Sequence, residues 1–348
     1  MKSKNTLQAV AALAKVSPAT VSRLVNRTTR VSAAVETRIR KAAAQLNFDL
    51  NGKRSNRLIA YILANRSLLH PFHSQVLVAA EAHCAAQDYN LLFFPLHYSP
   101  SQHWTKLDVP RVLHRPDMID GFIVAGVNYQ NLLDLLTDIR LPFAVLGDTV
   151  QGEWQTKAYD TACVDDRQGA YELTRYLQGL GHTRIAFVAN NRLAWFQRRC
   201  ESYRRAMKEA GLAPLVAEID SEHEHEVGFL AMKQILAQHP GQVDAIFGGS
   251  DATCHGIYAA LREAGLRVPE DISVCGFNDT PEATVLYPPL TSVRVFPELI
   301  GRQLAEMVLA RIAKGAGGPQ QRMIPTQLVK RESCLAAART GELVSSGR

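Results

Sequence analysis

The chain has 348 residues, a formal net charge of +6, 47% hydrophobic and 21% charged residues, a balance ordinary for a water-soluble protein with more than one folding core. No apolar run approaches the ~18 residues of a membrane span, and Gln8 and Lys15 interrupt the short apolar stretch at the N-terminus, so neither a membrane protein nor a secreted one is expected. The six cysteines (Cys84, Cys163, Cys200, Cys254, Cys275 and Cys334) lie far apart with no C-x-x-C pair, which leaves no metal or disulfide framework and fits a reducing, cytoplasmic location.

Charge is unevenly placed. Residues 1–57 hold 12 lysines and arginines against Glu36 and Asp49, a net of +10, which leaves −4 for the remainder. A disordered basic tail is the simplest reading of such a segment, but this one carries helix signals. Leu7, Val10, Ala11 and Ala14 recur at helical spacing, with Asn5 or Thr6 as a start. After a turn at Lys15-Val16, Ser17 is a good N-cap and Pro18 a favoured first helical residue. The second helix turns Val21, Leu24 and Val25 inward and leaves Pro18, Ala19, Thr20, Ser22, Arg23 and Asn26 toward solvent. A basic loop, 27–30, leads to Ser32 as cap of a third helix with Val35, Ile39, Ala42, Ala43 and Leu46 on its buried face. Two short helices joined by a tight turn, the second polar at its N-terminal end, is the helix-turn-helix arrangement, in which that end enters the DNA major groove; the alternative, a three-helix packing module with no nucleic-acid role, does not account for the net +10.

From Leu58 onward, short apolar runs alternate with helical stretches: 58–63, 89–94, 118–124, 143–146, 184–188, 245–247 and 272–277. This alternation predicts an α/β body with parallel sheets flanked by helices. Enzyme signals are weak. Glu222-His223-Glu224-His225-Glu226 has i, i+2 spacing that fits no common zinc signature and reads as a solvated loop or first helical turn. Gly248-Gly249-Ser250-Asp251 lacks the second glycine of a nucleophile elbow, and no Walker sequence is present. No catalytic residue, metal or cofactor is expected.

The residues from Val16 to Arg23, VSPATVSR, together with Thr6-Leu7, Asn26, Val31-Ser32 and Leu46-Asn47-Phe48, resemble the opening of LacI/GalR-family transcriptional regulators. The similarity continues through His70-Pro71-Phe72-His73, Asp120-Gly121-Phe122-Ile123, Val164-Asp165-Asp166, residues 180–187, Ser250-Asp251, 268–274, Gly276-Phe277-Asn278-Asp279 and 288–293, and runs from about residue 6 to 334. It implies an all-α helix-turn-helix head on a two-lobed, periplasmic-binding-protein-like α/β body. The head would span 1–50 and a basic linker 51–57. An effector-binding and dimerisation domain would span 58–340, its first lobe about 58–160 and 291–322 and its second about 161–290 and 323–340. The lobes would be joined by crossovers near 160, 290 and 323.

In the head the resemblance places the DNA contacts at Thr6, Leu7, Ser17, Pro18, Ala19, Thr20, Ser22, Arg23, Asn26 and Arg30. Ser17 and Thr20 would hold phosphates, Pro18 and Ala19 would face bases, and Arg23 can offer a guanidinium fork to guanine. In the body it places effector contacts at Phe72, His73, Asp148, Arg199, His223, Ser250 and Asn278, a set suited to a carbohydrate. The partners implied are a double-stranded DNA operator, a small-molecule effector and a second or further copy of the chain, as homodimer or tetramer, with no membrane.

Three departures from the family pattern bear on mechanism. Lys15 stands where the turn usually has glycine, and a lysine adopts a left-handed conformation only at a cost. Ser250 and Asn278 replace the usual asparagine and aspartate. After Asn51 the linker is about six residues shorter than the family's hinge, and Gly52 and Asn56 are poor helix formers, so a flexible basic tether is expected in place of a helix that wedges into the minor groove. The rival readings are a solute-binding protein of the same fold, which needs a signal sequence and no basic head, and a sugar-processing enzyme, which needs a catalytic constellation.

Overall fold

The structure, a computed structural model, describes residues 7–25, 31–46, 48, 57–67, 70–115, 117–152, 159–315 and 317–337. The head consists of α1 (Leu7–Leu13), α2 (Pro18–Val25) and α3 (Ala33–Gln45). They close on one small core in which Val10, Ala11, Ala14, Val21, Ile39, Ala42 and Ala43 are buried and Leu7, Leu24, Val35 and Leu46 pack at the edge. Ser17 caps α2 as expected, its Oγ accepting the Thr20 N–H at 3.2 Å. Ser32 occupies the N-cap position of α3, but its side chain makes no capping hydrogen bond. Lys15 does take the left-handed conformation, at φ 53°, because the turn between α1 and α2 needs it there. The linker positions 51–56, where a flexible tether is expected, lie outside the described residues.

The body opens with β1 (Leu58–Ala64), α4 (Pro71–Ala86), β2 (Asn90–Leu96), β3 (Gly121–Gly126), α5 (Gln130–Ile139), β4 (Phe143–Leu146) and β5 (Asp160–Val164). It continues with α6 (Asp166–Gly179), β6 (Ile185–Ala189), α7 (Ala194–Glu209), β7 (Leu215–Glu218), α8 (Glu224–Gln238), β8 (Ala245–Gly248), α9 (Asp251–Glu263), β9 (Ser273–Asn278) and α10 (Pro281–Val285). Last come β10 (Thr291–Arg294), α11 (Pro297–Lys314), β11 (Gln321–Ile324) and β12 (Gln327–Val329).

Two six-stranded sheets result. The first has the order β11-β5-β4-β3-β1-β2 and is parallel throughout. The second has the order β12-β10-β9-β8-β6-β7 and is parallel except for the edge strand β12. Central strands are buried along their length, β1 from Ile59 to Ala64 and β3 entirely, as sheets covered on both faces require.

The chain passes between the sheets after β5, after β10 and after β11. Asp160–Val164 therefore belongs to the first sheet, Thr291–Arg294 to the second and Met323-Ile324 to the first, whereas the expected limits near 160, 290 and 323 cut each of these strands off or in two. The physical reason is that a crossing strand completes its ladder in one sheet before the chain leaves it.

In the second lobe α8 and α9 approach backbone to backbone. A Cβ on Gly256 would stand 2.0 Å from the His225 carbonyl oxygen and one on Gly228 1.9 Å from that of Thr253, so only glycine fits at either position.

Candidate functional site

In the head, Ser17, Pro18, Ala19 and Arg23 are exposed, Leu7, Thr20 and Ser22 half-buried. The hydroxyls of Ser17 and Thr20 lie 2.8 Å apart, so the N-terminal end of α2 presents two hydroxyls, Pro18 and Ala19 at one tip. Leu7 packs on the head's own core. Thr6, Asn26 and Arg30 lie outside the described residues. A short polar helix end, held out from a packed core by a left-handed turn, has the form of a groove-reading helix.

In the body, the carboxyl ends of strands from both sheets face one cleft, the place where open parallel sheets hold ligands. Five of the seven expected effector residues (Phe72, His73, Asp148, Arg199 and Asn278) line its inner cavity, of about 30 Å³. The most connected is Arg199 on α7, which is 4% exposed. Its Nε donates to Asp166 Oδ1 at 2.9 Å, its Nη1 to the Gly249 carbonyl at 2.7 Å and its Nη2 to Asn278 Oδ1 at 3.3 Å, while its guanidinium lies 3.7 Å over the Phe277 ring. Asn278 is held at φ 106°, a conformation that residues with side chains rarely adopt and that tends to sit at functional sites.

The other two expected residues are elsewhere. His223 is exposed and outside the cavity lining; it is the N-cap of α8, its N–H bonded to Ser221 Oγ at 3.1 Å. Ser250 is buried behind the wall. Its hydroxyl caps α9 by accepting the Thr253 N–H and donates at 2.7 Å to Glu224 Oε2. The side chain that enters the cleft from this segment is Glu224, one residue on from His223. Of the two expected readings, a solvated loop or a first helical turn, the second holds: Glu224 opens α8, and that turn directs it inward to three polar neighbours.

Those neighbours come from both lobes. Arg66, just past β1, donates from Nη2 to Glu224 Oε1 at 2.8 Å, and His70 Nε2 stands 3.8 Å from the same oxygen. Burial pushes the Glu224 carboxyl up, but His70, Arg66 and the Ser250 hydroxyl outweigh it and hold Glu224 below the usual carboxylate range. His73 is driven far below the ordinary histidine range by burial, then by His70 and Arg66, and His70 is also lowered, chiefly by burial. Burial thus works against the charged form of both imidazoles, and Glu224 opposes it at His70.

A second interlobe contact joins Arg198, whose Nη2 donates to the Asp148 carbonyl oxygen at 2.6 Å and to Asp166 Oδ2 at 2.9 Å. The Asp148 side chain is raised to about 6 by burial and by the nearby Asp166 carboxylate. Beyond Phe72 and Asn278 the cleft widens into an outer cavity of about 300 Å³ whose wall includes Gln75, Arg294 and Glu298. Arg66, His70, Trp195 and Glu224 were not among the expected site residues; only the position of the 222–226 acidic run hinted at one of them.

A helix-turn-helix head carried by a two-lobed body with a polar cleft is the architecture of a DNA-binding regulator that senses a small molecule. Residues 6–51 match the family model of bacterial regulatory proteins of the lacI family, and residues 174–334 that of the periplasmic binding protein-like domain. The ribose operon repressor of Escherichia coli is 30% identical, covering 94% of this chain and 99% of the relative. The HTH-type transcriptional repressor PurR of Haemophilus influenzae is 30% identical over 91% of this chain and 94% of its own. Among solved structures, the transcriptional regulator CelR in complex with cellobiose aligns with a TM-score of 0.69 at 27% identity, over 94% of this chain and 99% of that one. The lac repressor dimer bound to operator and the anti-inducer ONPF also gives 0.69, at 26% identity over 95% and 99%. The chain belongs to the LacI family of bacterial regulatory proteins. It is a transcriptional regulator and not an enzyme.

Proposed function

We propose that two copies of this chain bind a near-palindromic operator, each through the N-terminal end of α2, and that a small polar effector in the interlobe cleft sets the affinity for that operator. On DNA, Ser17 and Thr20 hold phosphates, Pro18 and Ala19 meet base edges by apolar contact, and Arg23 donates to a base or backbone, with Ser22 beside them. Thr6, Leu7, Asn26 and Arg30 complete the proposed contact set. A head of 1–50, a tether of 51–57 and a sensing body of 58–340 is the division that this reading uses. Among the described residues no helix is long and apolar enough to cross a membrane, and a cytoplasmic site of action follows from the DNA target.

One observation carries the effector reading. Among the described residues, Arg66 Nε, His70 Nδ1 and His73 Nδ1 are buried at the cleft with no hydrogen-bond partner. Buried polar nitrogens are normally satisfied, and three on one wall of one cavity mark a place where a hydroxylated ligand supplies the missing bonds. Phe72 offers an apolar face to ring C–H groups. The sugars in the names of relatives, ribose and cellobiose, make a neutral carbohydrate the first class to test.

Self-association is favoured by exposed apolar side chains on each lobe: Val78 on α4, and Val285 and Tyr287 at and after α10. The deciding experiment selects the operator from random DNA with the full-length protein, then titrates that operator with and without each sugar. An operator affinity that no sugar, purine or polyol alters would refute effector control.

A further inference from the structure

Arg66 and Glu224 come from opposite lobes and meet inside the cleft. Glu224 shares its two carboxylate oxygens between the Arg66 guanidinium and the Ser250 hydroxyl. Arg66 also lies 5.3 Å over the ring of Trp195 on α7, so its side chain touches the second lobe twice. The two side chains are only 17% and 10% exposed, and the inner cavity they help to line measures about 30 Å³, too little for a sugar while they stay paired. A ligand of sugar size must part them.

The charge balance of the inner wall restricts what that ligand can be. Arg66 faces Glu224, and Arg198 and Arg199 both bond Asp166, with Asp148 alongside. Two guanidinium groups, Arg66 and Arg199, thus line the cavity against two carboxylates, Asp148 and Glu224, with the Arg198–Asp166 pair behind them. Burial disfavours the charged form of both histidines lining the cavity, and His70 already faces Glu224. A phosphate or carboxylate placed here has no free cation to meet and lies against Glu224, and an unmatched charge in a water-poor cleft is costly. A neutral polyol suits the same groups: one hydroxyl accepts from Arg66, a neighbouring hydroxyl donates to Glu224, and others meet Arg66 Nε and the open imidazole nitrogens.

We infer that Arg66 and Glu224 are the specificity-determining pair of this cleft, a cross-lobe clasp that uncharged vicinal hydroxyls replace and that turns away ligands bearing a phosphate or carboxylate. The inference rests on the effector reading above and adds the charge class to it.

The test uses full-length protein with D-ribose and D-glucose, each compared with its terminal phosphate ester, by calorimetric titration and thermal shift. Wild type is expected to bind the neutral member of a pair about tenfold more tightly or better. Glu224→Gln, which keeps the size of the side chain, is expected to weaken the neutral sugar and to bring the two members to within about threefold. A phosphate ester preferred by wild type, or a preference unchanged in Glu224→Gln, overturns the pairing while leaving effector control standing.

Where no probe binds, hydrogen exchange of the ligand-free protein decides. Glu224→Gln and Arg66→Met should each speed exchange both at His70–His73 and at the first turn of α8, because the clasp holds both lobes. Unchanged protection at either segment in both variants, with melting temperatures showing folded protein, overturns the clasp.

Discussion

Arg199 and Asp166 are bonded through Nε to Oδ1 at 2.9 Å, both nearly excluded from solvent, at the point where the chain has just left the first sheet for the second. The guanidinium joins the start of α6 to the end of β8 through Gly249 and to the end of β9 through Asn278. Removing it leaves an Asp166 carboxylate with Arg198 as its remaining ion-pair partner and three elements untied.

Arg199→Ala is therefore expected to cost stability as well as ligand response. The loss should be about 1–3 kcal/mol, for buried hydrogen bonds removed while Arg198 keeps Asp166 paired. Urea denaturation reads the stability; operator titration with a responsive sugar reads the response. A variant as stable as wild type contradicts the assigned role.

Arg23 is exposed on α2 and carries no structural burden in the head. Arg23→Ala should leave folding intact and weaken operator binding by about 1–3 kcal/mol if it reads a base. Comparing specific with random DNA by fluorescence anisotropy separates base reading from phosphate contact: loss on the specific sequence alone supports base reading, and equal loss on both supports phosphate contact.

Lys15 sits at φ 53° with an exposed side chain. Lys15→Gly relieves the left-handed strain and should raise the head's stability by about 1 kcal/mol, measured by thermal unfolding of the head's signals. No gain would mean that the added freedom of the unfolded glycine offsets the relief.

Asp251 is raised to about 7 by burial, against hydrogen bonds from the Ser292 hydroxyl at 2.5 Å and the Thr280 N–H at 2.7 Å. The folded protein then holds a proton that the unfolded chain releases near pH ~3.9, so stability from this group is present at acid pH and lost as pH rises from about 4 to about 7. Asp251→Asn should flatten that decline. Chemical denaturation across the same pH range checks it, and an unchanged slope refutes the assignment.

Gly256→Ala places a Cβ 2.0 Å from the His225 carbonyl oxygen, which helix backbone cannot yield cheaply. A loss of about 1–3 kcal/mol or more is expected from forcing α8 and α9 apart, read as a lowered melting temperature.

Much of this was visible in the residues alone. The three helices of the head follow from apolar spacing and from Ser17-Pro18, and seven strands of the body from short apolar runs. Two of the strands that escaped show why. β5 begins with Asp160, a carboxylate that is buried because Arg311 on α11 binds it at 2.6 and 2.7 Å across 151 residues. β12 is an edge strand of three residues with no apolar run. The site divides in the same way. Arg199 and Asn278 were legible by position, whereas Glu224 looked like one more charge in a polar run. Its burial depends on Arg66, 158 residues earlier, and local periodicity carries no record of such a partner.

The three passages between sheets also bear on how the molecule can be divided. The last helix packed on the first sheet, α11, is encoded after nearly all of the second lobe, and the final strand of each sheet comes later still. No single cut in the body yields two fragments that each contain one whole lobe. A nick in the crossing after β10, at residues 295–296, should leave the halves associated, each holding strands the other requires, and a ribosome must release the chain past β11 and β12 before both lobes can finish folding.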